Sequence, residues 1–101
     1  GAEFDDLVLK GIIYNGIVVS SHGWVVIYNL HLKDSTIFPD GAVVYAEMLG
    51  TADISGTMQT TNSTGRRYYS DLNSVIQTEG QGPDYLPGTT AGVVSNGGIY
   101  A

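Results

Sequence analysis

Valine, isoleucine and leucine gather in the first half of the chain, in short runs cut by polar breaks. Ile12-Ile13-Tyr14 and Ile17-Val18-Val19 flank one Asn15-Gly16. An Asn-Gly between two β-branched runs is the strongest short-range hairpin signal, because a type I′ turn needs φ > 0 at both central residues. The spacing predicts a first strand over 7–14 and a two-residue loop that sets Tyr14 opposite Ile17, Ile13 opposite Val18 and Ile12 opposite Val19. Both faces of that ribbon are apolar. An antiparallel sheet with one wet face would alternate, so both faces are expected to be covered, by the rest of the domain or by another subunit.

The clearest alternation follows Ser20-Ser21-His22-Gly23. Trp24, Val26, Tyr28, Leu30 and Leu32 fall on one side of a period-two pattern, and Val25, Ile27, Asn29, His31 and Lys33 on the other. This predicts a strand with its first set in the core. Residues 33–40 read as a loop closing on Pro39-Asp40-Gly41. Residues 42–49 read as a further strand and 54–60 as a weaker one. Ser70 to Gln77 is the one helical candidate: Ser70 as cap, Leu72, Val75 and Ile76 on one face, Gly80 as stop. Residues 80–92 read as irregular. Val93-Val94 and Ile99-Tyr100 bracket Asn96-Gly97-Gly98 as a last strand or hairpin. Composition shifts near residue 50 from large aliphatics to Gly, Thr, Ser, Asn and Gln, with no visible internal repeat.

The pattern therefore predicts an all-β fold, a small antiparallel sandwich or partly open barrel of five to seven strands, with one short helix near 70–77. Gly1 to Phe4 reads as a cloning remnant, and residues 5–101 as one β domain with a Gly-rich C-terminal tail from about residue 80. A chain of 101 residues suits one domain with a single small core.

Charge narrows the partners. The net charge is −6, with only Lys10, Lys33, Arg66 and Arg67 positive. A nucleic-acid partner needs clustered cations to displace counterions, so none is expected. Charged residues make up 14% of the chain, against roughly 25% in a typical soluble domain. The wet surface must then be built from Ser, Thr, Asn, Gln and Tyr, a composition that leans toward an extracellular or virion setting. There is no cysteine, which removes disulfides and thiolate chemistry. No apolar run reaches the length of a membrane span, and no signal peptide is visible.

Candidate chemistry is sparse. His22 and His31 lack metal-ligand spacing, and no Gly-x-Ser-x-Gly elbow is present. No catalytic residue, metal or cofactor is expected, although Glu47, inside an apolar strand, and His31 are where a small enzyme would have to centre. Lys10, Glu47 and Asn96 are the residue types that pilin-type sandwiches join in Lys–Asn isopeptide bonds, a resemblance of three common residues only. Arg66-Arg67-Tyr68-Tyr69 concentrates half the positive charge beside two rings and is a candidate grip for an acidic or stacked partner. Trp24 reads first as a core or interface residue and second as a sugar-stacking platform, with Tyr85 on its rim. Asn62-Ser63-Thr64 matches a glycosylation acceptor. The expected function is a non-enzymatic module of an extracellular or virion assembly, a phage tail or capsid accessory or a pilus-like subunit. It would be a homo-oligomer or part of a larger protein assembly, joined through the first ribbon or the C-terminal tail. A carbohydrate-binding module is the alternative.

Overall fold

The computed structural model describes Gly1–Ala101. It holds nine strands and no helix: β1 (Ala2–Ile13), β2 (Ile17–Val19), β3 (Trp24–Ile37), β4 (Val44–Ala46), β5 (Thr51–Thr61), β6 (Tyr68–Ser70), β7 (Val75–Gln77), β8 (Val93–Val94) and β9 (Ile99–Tyr100). Odd-numbered strands form one sheet in the order β1-β3-β5-β7-β9, and even-numbered strands form a second, β2-β4-β6-β8. Every ladder between them is parallel. The chain thus winds as a β-solenoid of about 4 turns, each turn laying one strand in each sheet. The all-β reading holds, and the antiparallel sandwich or barrel does not.

A repeat exists in space that the sequence conceals. Ala2 pairs with Val25, Val25 with Ala52, Ala52 with Ile76 and Ile76 with Tyr100. In the second sheet Val19 pairs with Ala46, Ala46 with Ser70 and Ser70 with Val94. The early coils differ in length from the later ones and the residues stacked in these rows differ in kind, so little of the repeat survives in the letters beyond the glycine that closes three of the four corners at 23, 50 and 98.

One corner of the coil recurs in detail. Ser20–Gly23, Glu47–Gly50, Asp71–Ser74 and Ser95–Gly98 are β-turns in which the fourth N–H donates to the first carbonyl at 2.8, 2.9, 3.1 and 2.9 Å. Both central residues have positive φ in all four: Ser21 and His22, Met48 and Leu49, Leu72 and Asn73, Asn96 and Gly97. These are stacked type I′ turns. They do not fold a strand back on its neighbour. Each carries the chain from one sheet into the other, so the flanking strands pair with the coils before and after.

This stack removes the predicted helix. Leu72, expected on its buried face, is an exposed turn tip at φ 50. Ser70 and Ser74, one turn apart, are both buried. Their hydroxyl oxygens lie 2.8 Å apart, with the carbonyls of Ile99 and Ala46 as acceptors 2.9 Å from Ser70 Oγ and 2.8 Å from Ser74 Oγ.

The predicted Asn15-Gly16 hairpin is also absent. Gly16 does not adopt positive φ. Residues 14–16 form the opposite corner, from β1 into β2, where Asn15 Oδ1 accepts the Ala42 N–H at 2.9 Å and Gly16 N–H donates to the Ala42 carbonyl at 3.0 Å. Gly16 is needed for closeness: a Cβ there would lie 2.6 Å from both the Val43 oxygen and Leu9 Cδ1. The chain's other Asn-Gly, Asn96-Gly97, does form the type I′ turn.

The register of the best strand is half as expected. Val25 and Ile27 are buried, while Trp24 and Tyr28 point outward; beyond Asn29 the buried residues are Leu30 and Leu32, with Lys33 exposed. Asn29 sits at φ 67 and acts as a bulge that flips the pleat, exchanging the two faces. An uninterrupted period of two cannot show such a flip. The core between the sheets is Ile27, Leu30, Leu32, Val43, Val44, Ile54, Ile76 and Leu86. Leu86 belongs to the loop 78–92. That loop covers the stretch of β5 that short β7 leaves open, with Gly88 N–H on Thr60 Oγ1 at 2.9 Å and the Tyr85 hydroxyl on the Gly56 carbonyl.

Two substitutions check this account. Leu49→Gly should raise stability by about 1 kcal/mol, because a non-glycine residue in the left-handed region costs roughly that much; thermal unfolding reads it as a higher midpoint. Gly16→Val should cost more than about 1 kcal/mol through overpacking and lower the midpoint in the same measurement.

Candidate functional site

The ten aromatic residues sort by what covers their rings. Tyr68 and Tyr100 stack in the interior at 3.8 Å. Tyr45 and Tyr69 stack on the outer side of the four-stranded sheet, centroids 5.0 Å apart and 12° from parallel. They are consecutive members of one row, Val18–Tyr45–Tyr69–Val93. Tyr14 meets Phe38 edge-on at 5.6 Å. Tyr85 is anchored by its hydroxyl on Gly56. Phe4, Trp24 and Tyr28 remain, each substantially exposed and without an aromatic partner.

The four residues of the candidate grip, Arg66-Arg67-Tyr68-Tyr69, are divided between two surroundings. Arg66 lies over the Tyr69 ring at 5.7 Å, and its Nε is buried with no hydrogen-bond partner. Arg67 turns to the loop 78–92, donating to the carbonyls of Leu86 at 2.7 Å and Asp84 at 3.2 Å, with its Nε 4.0 Å from the exposed Asp84 carboxylate. Tyr68 points inward and Tyr69 outward, as alternate residues of a strand must. Arg67 and Tyr68 fasten the last coil; Arg66 and Tyr69 face out.

Glu47 opens the second type I′ turn, and its backbone N–H donates to the Val19 carbonyl at 3.0 Å. His31 Nε2 lies 2.8 Å from Thr61 Oγ1. It lines a shallow concavity of about 260 Å³ with Asp6, Asn29, Thr57 and Gln59. Asn29 ties that region together, donating to Asp6 Oδ1 at 2.6 Å and accepting the Thr57 N–H at 2.7 Å. No group of three His, Cys, Asp or Glu side chains is placed to hold a metal ion. Lys10 lies in the first coil and Asn96 in the last, with β3, β5 and β7 between their levels.

Two surfaces, the first ribbon and the surroundings of Trp24, take their shape only in the structure. The first is the open end of the solenoid. β1 pairs only with β3, so its other edge carries unpaired main-chain groups along 12 residues. Beside it lies an apolar concavity of about 580 Å³, whose wall includes Phe4, Leu7, Leu9, Ile17, Val19 and, at its rim, Trp24. The second is the outer face of the five-stranded sheet. Trp24, Val26 and Tyr28 there pair with Thr51, Asp53 and Ser55 of β5. Seeing the first needs the parallel topology, and seeing the second needs the flip at Asn29.

The chain matches no protein family, no curated protein and no solved structure.

Four partly or fully covered tyrosines set a limit at high pH. Desolvation raises the Tyr45, Tyr68, Tyr85 and Tyr100 hydroxyls above their ordinary value of 10.0. For Tyr45, Glu47 and Asp71 add to the effect, and for Tyr68, Asp84 does. A raised folded-state pKa means that the fold favours the neutral phenol. The stabilisation is complete below the unfolded value near 10 and is lost as pH rises through the folded values. Denaturant midpoints should therefore fall above about pH 10, and phenolate absorbance should rise together with unfolding.

Proposed function

We propose that this chain is a non-enzymatic structural module of an extracellular or virion assembly, and that it associates with further copies of itself through the open edge of β1. The observation that carries this reading is the pairing of a long unpaired strand with an apolar concavity at the same end of the solenoid. An exposed edge strand of this length is a template for strand addition unless something blocks it. Glu3, Asp5, Asp6 and Lys10 supply charge along the edge, which limits indiscriminate pairing while leaving Phe4, Leu7 and Leu9 as the apolar contact. The low charge of the remaining surface suits a protein whose neighbours are other proteins rather than open solvent, and the acidic balance argues against nucleic acid.

Light scattering coupled to size exclusion should find an oligomer whose fraction grows with concentration. Phe4→Asp should shift it to monomer, with a change in the thermal midpoint no larger than about 0.5 kcal/mol of stability explains, as for other exposed positions. A monomeric wild type at high concentration would overturn the reading.

A further inference from the structure

We infer that the outer face of the five-stranded sheet binds a neutral, extended oligosaccharide, with Trp24 and Tyr28 as stacking platforms. The two rings are the exposed aromatics left over once the stacked, edge-on and hydroxyl-anchored ones are assigned and Phe4 is given to the open end. Trp24 is 47% exposed and Tyr28 54%. They stand four residues apart on the same side of one strand, a separation of about 13 Å at the usual rise per residue. Glycines lie beside both, and a Cβ on Gly1 would strike the indole while one on Gly56 would come within 3.1 Å of Tyr28 Cδ1.

The neighbouring row supplies the polar half of a sugar site. Trp24 is in register with Thr51, Val26 with Asp53 and Tyr28 with Ser55, and Asp53 in turn with Gln77. Adjacent strands lie about 4.8 Å apart, so hydroxyl, carboxylate and hydroxyl run alongside the rings. The local hydrogen bonds are made by Asn29, Gln77 and Tyr85, leaving Thr51, Asp53 and Ser55 with their side-chain donors and acceptors unused. Apolar faces for the C–H side of a pyranose, flanked by groups that bond its hydroxyls, are what a carbohydrate needs. This row contains no cation, and the chain is acidic overall, so the fitting ligand is uncharged rather than sulfated, phosphorylated or uronic.

Trp24 is the chain's one tryptophan, so its fluorescence reports binding directly. A glycan array of neutral and anionic oligosaccharides should show retention of neutral members. Titration with a retained neutral hexasaccharide should then shift Trp24 emission and shield it from iodide. Calorimetry with that hexasaccharide should show Tyr28→Ala and Asp53→Asn each weakening binding by about tenfold or more. Tyr45→Ala, on the other sheet, should leave it unchanged, and Tyr28→Ala should leave the oligomer unchanged in light scattering, which keeps this test separate from that of self-association. Three results would overturn the inference: no neutral glycan retained, binding undiminished in Tyr28→Ala, or Tyr28→Ala dissolving the oligomer without any glycan binding. The last would make the two rings protein-interface anchors instead.

Discussion

Main-chain hydrogen bonds directed along the solenoid axis hold each coil to the next, and everything else in the molecule accommodates them. They require the chain to come back into register after every circuit, whatever side chains it carries. Thr51 N–H reaches the Gly23 carbonyl, Val75 N–H that of Gly50, and Ile99 N–H that of Ser74, at 3.0, 3.0 and 2.9 Å. Coils of unequal length meet the requirement by placing surplus residues in bulges and corners. Thus β3 and β5 shift register between Tyr28 and Leu30, beside Asn29 and Gly56, both at positive φ.

The type I′ corner is where that requirement presses hardest on the backbone. Asn96-Gly97 meets it cheaply, since Asn and Gly tolerate the left-handed region. Met48-Leu49 does not, yet the pair takes the same conformation, because the Glu47 and Gly50 ladder bonds on either side leave no other route between the sheets. The surrounding structure over-determines these dihedrals, which is the condition under which such strain persists. Buried polar groups follow the same logic. Ser74 occupies the position that is glycine in the other three corners, and its hydroxyl is accommodated because Ser70, the Ala46 carbonyl and the Asp71 N–H all converge on it.

A solenoid separates its interior from its surface row by row, and this allows one small chain to present two kinds of surface, which meet at Trp24. Inward rows make the core, whereas the outward rows and the unpaired edge are free of packing duty. The open edge of β1 is a backbone and apolar surface suited to a further strand. The Trp24–Tyr28 face is closed to strand addition, because its main chain is already paired on both sides, and only side chains can work there.

The amino-acid sequence by itself determined that this is an all-β chain, that it carries no thiol, and that its net charge is −6. Those conclusions rest on composition, charge and local β preference, which do not depend on what each strand pairs with. Some local detail was legible too: the alternation in 24–33, the irregularity of 80–92, and a turn at Asn96-Gly97. Parallel pairing, the coil repeat and the fate of the Arg66–Tyr69 cluster were decided only by the tertiary structure. Strand direction depends on whether the residues after a turn pair with those before it or with a coil some 24 residues away. The type I′ dihedrals of Asn96-Gly97 are compatible with either arrangement. The facing of Trp24 was likewise settled at Asn29, where a single left-handed residue exchanged the inside of the strand for the outside.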